Sequence, residues 1–354
     1  MKRILTIVGA RPQFIKAAAI SHTIRDFYSN RIQEDILHTG QHYDDAMSGR
    51  FFTELDIPLP KYNLGVGSGS HGHQTALMLN GIEEILLKER YDGVLIYGDT
   101  NSTLAGALAA SKLQVPVYHV EAGLRSFNRA MPEEVNRIVA DHVSTLLFAP
   151  TQTAMGNLQR EGFGQSQAIF SGDVMLDNVR YYTERMQTTD NLPAQLLVTI
   201  HRDFNTDHPE RLKSILTTLD TLVERYDTDI LFPVHPRTGQ KIDSMGYSPK
   251  SERIRMSAPL SYLETLEAIQ QSWLVLTDSG GLQKEAYFCG RACVILRPET
   301  EWVEIVEAGA ALLADADQQR IMDCVGQLRD ITPTAPTQFG DGRASHAIIQ
   351  HIIS

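Results

Sequence analysis

Residues 93–100 read Gly93-Val94-Leu95-Ile96-Tyr97-Gly98-Asp99-Thr100, and the chain then runs on through Ser102–Leu113. The first five residues offer no polar face, as in a strand buried within a parallel sheet. Ser102–Leu113 has the spacing of an amphipathic helix. The turn between them puts Asp99 at the carboxyl end of the strand. The same unit recurs on either side. Ile4–Val8, Asp35–His38, Val115–Val120 and Leu146–Ala149 read as further buried strands, with helices Gln13–Asp26 and Gln74–Glu89 among them. Strands alternating with helices predict an α/β unit with a doubly wound parallel sheet.

The pattern then restarts. Leu196–Ile200, Ile230–Val234, Ile254–Met256, Leu274–Thr277 and Ala292–Leu296 read as a second strand set, separated by helices Pro209–Tyr226, Tyr262–Gln271 and Gly281–Phe288. The fold class is therefore α/β, with two Rossmann-like doubly wound domains in series, and 354 residues suit two domains. The join is expected near Arg160–Asp173, where Gly162, Gly164 and Gly172 loosen the backbone. This gives a first domain over 1–165 and a second over 166–342. A last helix, Arg343–Ile353 within 343–354, follows the turn Phe339–Gly342 and is expected to return to the first domain. Ligands of open α/β sheets sit beyond the carboxyl ends of the strands, so two such sheets facing a central cleft make that cleft the expected site.

Composition narrows the function classes. Hydrophobic residues at 42% and charged residues at 21% are ordinary globular usage, which predicts a buried core. A net charge of -11 repels a phosphate backbone, and no run of Lys and Arg offsets it, so nucleic acid is not an expected partner. The three cysteines, Cys289, Cys293 and Cys324, have no framework spacing and read as small buried hydrophobes. The start, MKRILTIVGARPQF, lacks the long apolar core of a signal peptide, and no stretch is long enough to span a bilayer. The cytoplasm is the expected compartment, with no membrane partner.

Five motifs carry candidate chemistry. Gly9-Ala10-Arg11-Pro12 follows the first strand, with Lys16 in the next helix. Such a turn presents amides to an anion, and Arg11 and Lys16 add charge there. An ordinary turn with solvated charges is the competing account. The spaced glycines of a dinucleotide fingerprint and the P-loop pattern are both absent. The second motif holds Asp99, which could cap the following helix. Thr100 and Ser102 can cap it as well, leaving Asp99 for chemistry. The third is the densest, with His119, Glu121, Arg125, Glu133, Glu134 and Arg137 close in sequence. Pro132-Glu133-Glu134 reads as a helix start whose acids complement the dipole, which accounts for one of the two. Clustered carboxylates also raise one another's pKa, which suits proton transfer.

The fourth motif, Thr199-Ile200-His201-Arg202, ends the first strand of the second set, and His235-Pro236-Arg237 ends the next. Basic groups at successive strand ends can grip a diphosphate; an isolated surface histidine is the competing account. The fifth, Thr277-Asp278-Ser279-Gly280-Gly281, leads into a helix holding Gln283 and Glu285. Ser279 can cap that helix, while Gly280 and Gly281 let amides approach a phosphate. Glu285, one turn on, could bind ribose hydroxyls. No His, Cys and Asp cluster has metal-ligand spacing.

Together the strings GARPQFIK, HTGQH, YGDTNSTLAGALAA, HVEAGLRS, MPEEVNR, TIHR, HPR, TDSGGLQKEA and TEWVE occur in the order seen in non-hydrolysing UDP-N-acetylglucosamine 2-epimerases. The chain resembles that family along nearly its whole length. The resemblance implies a GT-B type fold, UDP held mainly by the second domain, a homodimer, and no need for metal or nicotinamide cofactor. It implies elimination of UDP to a 2-acetamidoglucal, followed by re-addition with the opposite configuration at carbon two. Matching positions imply acid/base work for Asp99, Glu121 and Glu133, with His201 counted among the catalytic residues. Arg11, Lys16, Arg137, His201 and His235 are implied to stabilise the diphosphate or orient the carboxylates. Ser279, Gly280 and Gly281 are implied to bind phosphate, and Glu285 the ribose.

Three departures stand out. Phe204 replaces a glutamate frequent after HRD. The stretch YDDAMSGRFF after Gln41-His42 lacks the activator-site run of regulated members. Its acids Asp44 and Asp45 predict no activation by the substrate's own kind. TEWVE and the MSxxFF stretch are closer to the branch acting on UDP-2,3-diacetamido-2,3-dideoxy-glucuronate. The competing readings are a GT-B glycosyltransferase, which would not need three cleft carboxylates and would need an acceptor groove, and a non-catalytic nucleotide-sugar sensor, which would bind with no proton exchange at carbon two.

Overall fold

The computed structural model describes residues 1–41, 52–186, 195–334 and 336–354. Residues Tyr43–Met47, on which the absence of activation was read, lie outside them. The chain forms two compact units, one of Met1–Asn178 with Thr337–Ser354 and one of Val179–Pro336.

The first unit holds β1 (Lys2–Val8), β2 (Ile32–His38), β3 (Tyr62–Asn63), β4 (Gly93–Tyr97), β5 (Val117–Val120), β6 (Leu146–Ala149) and β7 (Ala168–Phe170). They form a seven-stranded sheet in the order β3-β2-β1-β4-β5-β6-β7. Every pairing in it is parallel. Leu5 and Ile7 of β1 and Val94 and Ile96 of β4 share a core with Met78 and Ile82 of helix His71–Lys88 and Ala105 and Ala109 of helix Asn101–Lys112. Small residues let the second of these helices lie close to the sheet. A Cβ added to Gly106 would stand 2.7 Å from Ile7 Cδ1.

The second unit holds β8 (Gln195–Thr199), β9 (Asp229–Pro233), β10 (Ile254–Ser257), β11 (Ser272–Thr277), β12 (Ala292–Ile295) and β13 (Ala311–Leu313). Its six strands run in the order β10-β9-β8-β11-β12-β13, again all parallel. Leu196, Val198, Leu274 and Leu276 pack with Leu212, Ile215 and Leu219 of helix Pro209–Tyr226.

The first unit extends past residue 165. β7 pairs with β6, so the chain is still building the first sheet at Phe170, and the division falls within helix Val174–Thr183. The last helix, Ala344–Ile353, belongs to the first unit and buries Ile348, Ile349 and Ile352. It has no cap of its own. Asp177 supplies one from afar, accepting hydrogen bonds from the amides of Ala344 at 3.0 Å and Ser345 at 2.8 Å and from the Ser345 hydroxyl at 2.6 Å. Thr23 donates to the same hydroxyl at 2.8 Å, and the Lys2 ammonium reaches the Ile352 carbonyl.

Burial pushes the Asp177 carboxyl up to about 6, although the hydrogen bonds from Ser345 and Ala344 work in the opposite direction. The folded chain thus holds this proton to a higher pH than the unfolded chain does. The stability linked to it is complete below about pH 4 and lost as the pH rises through about 6. Asp177→Ala should lower stability by about 1–2 kcal/mol through loss of the cap. Asp177→Asn should gain stability relative to the parent chain between about pH 4 and 7 in urea titrations; a constant difference would contradict the assignment.

Candidate active site

Parallel pairing puts the carboxyl ends of the strands along one edge of each sheet. In the first sheet the chain order reverses between β1 and β4, the position where open α/β sheets place ligands. The turns after β1, β4 and β5 are neighbours there. They carry Gly9–Arg11, Gly98–Thr100 and Glu121–Gly123.

The first turn is closed to an anion at its leading amides. Gln13 turns back, and its side-chain oxygen accepts from the amides of Gly9 at 2.8 Å and Ala10 at 3.2 Å. Its own amide donates to the Tyr97 carbonyl and to Thr103, both at 3.0 Å. Gly9 is glycine for want of space and not for a special dihedral. A Cβ would stand 2.1 Å from Thr39 Oγ1 and 2.2 Å from Ser102 Oγ, which are bonded to each other at 2.8 Å. Arg11 opens the helix Arg11–Thr23 and stays partly exposed.

Lys16 is not a solvated charge beside that turn. It is buried, and its ammonium is ion-paired with Glu121. The side chains are 9% and 7% exposed, so each charge has left most of its water. Glu121 follows β5 with φ +68, a left-handed conformation that costs a non-glycine residue about 1–2 kcal/mol. Strain of this kind gathers where side-chain placement serves function. Gly98, at φ +62, lies under the pair: a Cβ there would stand 3.0 Å from the Lys16 nitrogen and 3.5 Å from a Glu121 oxygen.

Asp99 pairs with Arg137 at 2.6 Å. Thr100 caps the following helix, accepting from the Thr103 amide at 3.3 Å, so the Asp99 carboxylate is not needed there. Asn136 donates to the Asp99 carbonyl at 2.8 Å. Arg137 also reaches Glu134 at 3.0 Å. Glu134 is buried and accepts from the amides of Ser126 and Phe127, both at 2.9 Å. Burial opposes its charge, but the Ser126 amide and Arg137 outweigh it and hold the carboxyl below the usual range. Glu134 is therefore the structural member of the acidic pair, and Glu133 stands exposed in the first turn of helix Pro132–Val143.

Beneath these turns His119 is fully buried, with both ring nitrogens facing oxygen. Nδ1 is 2.7 Å from Asp141 and Nε2 is 2.7 Å from the Gly98 carbonyl. Asp141 also accepts from the Gly123 amide at 3.1 Å and pairs with Arg125 at 2.7 Å. Burial opposes the Asp141 charge, but the hydrogen bond from His119 and the charge of Arg125 prevail and lower its pKa.

In the second sheet the order reverses between β8 and β11. His201 follows β8 and is exposed at 42%, its Nδ1 3.3 Å from the buried Asp278 carboxylate after β11. Asp278 also accepts from the amides of His201 at 3.1 Å and Arg202 at 3.0 Å, and from Asn205 at 3.1 Å. His235 is exposed and caps helix Pro236–Ser244, accepting from the Arg237 amide at 3.3 Å. Arg237 pairs with Asp203 at 2.7 Å and Asp207 at 2.8 Å. Ser279 caps helix Gly280–Phe288, and its own amide donates to Thr277 at 3.0 Å. The two glycines differ. Gly280 has no room, since a Cβ would meet Glu301 Oε1 at 2.2 Å. Gly281 is open, with only Ser279 Oγ at 4.0 Å. Glu285 is buried one turn on.

The structure thus joins Lys16 to Glu121, Asp99 to Arg137, and His201 to Asp278. Among the described residues no group of His, Cys, Asp and Glu could hold a metal ion. Sequence reasoning missed Gln13, Asp141 and Asp278. For Asp141 no apolar stripe gave a signal, since the buried face of helix Pro132–Val143 also carries Glu134, Asn136 and Arg137. Lys16→Met strips a buried carboxylate of its ammonium and should cost about 3–5 kcal/mol in urea unfolding. Adding Glu121→Gln to it should recover much of that loss, and additive losses would count against the pair.

The whole chain matches known proteins. Residues 27–353 match the family model described as UDP-N-acetylglucosamine 2-epimerase. It is 46% identical to the UDP-2,3-diacetamido-2,3-dideoxy-D-glucuronate 2-epimerase of Pseudomonas aeruginosa, covering 99% of both chains. It is 41% identical to the UDP-N-acetylglucosamine 2-epimerase of Methanocaldococcus jannaschii, covering 97% of both. The crystal structure of the Methanocaldococcus jannaschii enzyme in complex with UDP-GlcNAc and UDP superposes with a TM-score of 0.88 at 39% identity, over 98% of both chains. Two parallel sheets with charged turns at their switch points and likeness from end to end lead to one assignment: this chain belongs to the UDP-N-acetylglucosamine 2-epimerase family.

Proposed function

We propose that this enzyme inverts carbon two of a UDP-linked 2-acetamido sugar, of the UDP-GlcNAc to UDP-ManNAc type. The observation that carries the reading is the pair of carboxylates at adjacent strand ends, Glu121 against Lys16 and Asp99 against Arg137. The proton on carbon two is not next to a carbonyl, so simple deprotonation is very difficult. Elimination avoids the problem. A carboxylate takes the proton as the bond from carbon one to the UDP oxygen breaks, and UDP leaves with that electron pair. The glycal then receives a proton at carbon two on the opposite face, and UDP re-adds at carbon one.

Asp99, Glu121 and Glu133 share the acid/base work. Lys16 and Arg137 orient the carboxylates they pair with. Arg11, His201 and His235 stabilise the departing diphosphate. The turn Ser279-Gly280-Gly281 holds phosphate at a helix start, and the open space over Gly281 supports that use. Glu285 accepts the ribose hydroxyls.

A second reading of the substrate is UDP-2,3-diacetamido-2,3-dideoxy-glucuronate. It is favoured by the 46% identity to the Pseudomonas aeruginosa enzyme and by the TEWVE segment. There Trp302 is buried, with the Lys284 ammonium 4.0 Å over its ring. In this proposal the enzyme is a homodimer, as the family resemblance implies, and works in the cytoplasm, the compartment expected from its sequence. No helix among the described residues is long and apolar enough to cross a membrane.

Asp99→Asn, Glu121→Gln and Glu133→Gln should each cut turnover by ~100-fold or more, with much smaller changes in UDP affinity by calorimetry. Near-parental turnover in all three would overturn the assignment. Incubation with plain, diacetamido and uronate UDP-sugars in heavy water should place deuterium at carbon two of one epimerised product, read by mass spectrometry. Sugar transfer to an acceptor would support a glycosyltransferase, and binding without exchange a sensor.

A further inference from the structure

We propose that Asp141 is a positioning residue that sets the two acid/base turns against each other, resting on the reading of Asp99 and Glu121 given above. Asp141 lies on helix Pro132–Val143, outside both turns, and is fully buried. One of its oxygens reaches the first turn through His119. The imidazole stands 2.7 Å from Asp141 on one side and 2.7 Å from the Gly98 carbonyl on the other. Gly98 immediately precedes Asp99. The other oxygen reaches the second turn directly, accepting from the Gly123 amide at 3.1 Å, two residues after Glu121. Arg125 fixes that same oxygen at 2.7 Å and is itself held by both oxygens of Glu161, at 2.7 Å each. A single carboxylate thus ties together two turns whose glycines, Gly98 at φ +62 and Gly123 at φ +80, allow the sharp bends.

Acid/base groups lose rate steeply when displaced by as little as an ångström, and a group that fixes two at once governs turnover without touching substrate. Nucleotide binding by the Ser279 turn does not involve Asp141. Removing the carboxylate should therefore lower kcat while leaving UDP affinity in place.

Four measurements on the full chain test this. Asp141→Ala should reduce kcat by about 100-fold, with UDP affinity by calorimetry within about twofold of the parent. Asp141→Asn can still bridge, its oxygen toward Gly123 and Arg125 and its amide toward His119, and should recover most of the rate. Hydrogen exchange should quicken in residues 97–101 and 121–125 of Asp141→Ala. In His119→Leu, which cuts one branch, it should quicken in 97–101 alone. Parental kcat in Asp141→Ala, or loss of UDP affinity in step with kcat, would overturn the proposal. If Asp141→Ala does not fold, His119→Leu decides: a lower kcat with exchange confined to 97–101 supports it, and parental kcat or opening throughout the unit refutes it. A parent chain that epimerises no UDP-sugar would refute the functional reading, while the exchange pattern would still decide the positioning role.

Discussion

The buried ion pair between Lys16 and Glu121 is the contact around which the carboxyl-end edge of the first unit's sheet is arranged. It ties the helix after β1 to the turn after β5, across the end of β4. Taking two charges out of water is costly, and such a pair holds only with close geometry. Glu121 holds a left-handed backbone where its carboxylate meets the ammonium, and Gly98, itself at φ +62, lies against the pair.

Each unit reaches the same end by burying an acid at the edge of its sheet. In the first, Asp141 comes from a helix and holds the turns after β4 and β5. In the second, Asp278 follows β11 and holds the turn after β8 through two amides and Asn205. Both carboxylates are completely buried, yet each has several donors to satisfy it. In the second unit the turn held this way carries the exposed His201.

Much of the fold was legible in the chain. Strands such as Gly93–Tyr97 and helices such as Pro209–Tyr226 appear where apolar runs and amphipathic spacing place them. β3, β7 and β13 were missed because they are two or three residues long, too short for any period to show. Missing β7 also moved the expected boundary forward. Of the candidate site residues, Asp99, Glu121 and His201 were singled out because each follows an apolar strand. Lys16 was found as a charge but not as a partner, since Glu121 lies 105 positions away in sequence.

Sequence alone determined that there are two parallel α/β units and which turns end their strands, because burial writes apolar runs directly into residue order. It also carried the family motifs. Tertiary structure decided what those turns do with their side chains. Only the folded chain shows that Gly9 is glycine because Thr39 and Ser102 crowd it, that Gln13 fills the first turn's amides, and that Glu134 anchors a loop while Glu133 remains exposed. The crowding at Gly9 comes from residues far away in the chain, set by which strands lie side by side, whereas Gln13 and Glu134 bond near neighbours in turns that the fold shapes. No local period or spacing encodes that order; it emerges when the strands pair and their ends are brought to one edge.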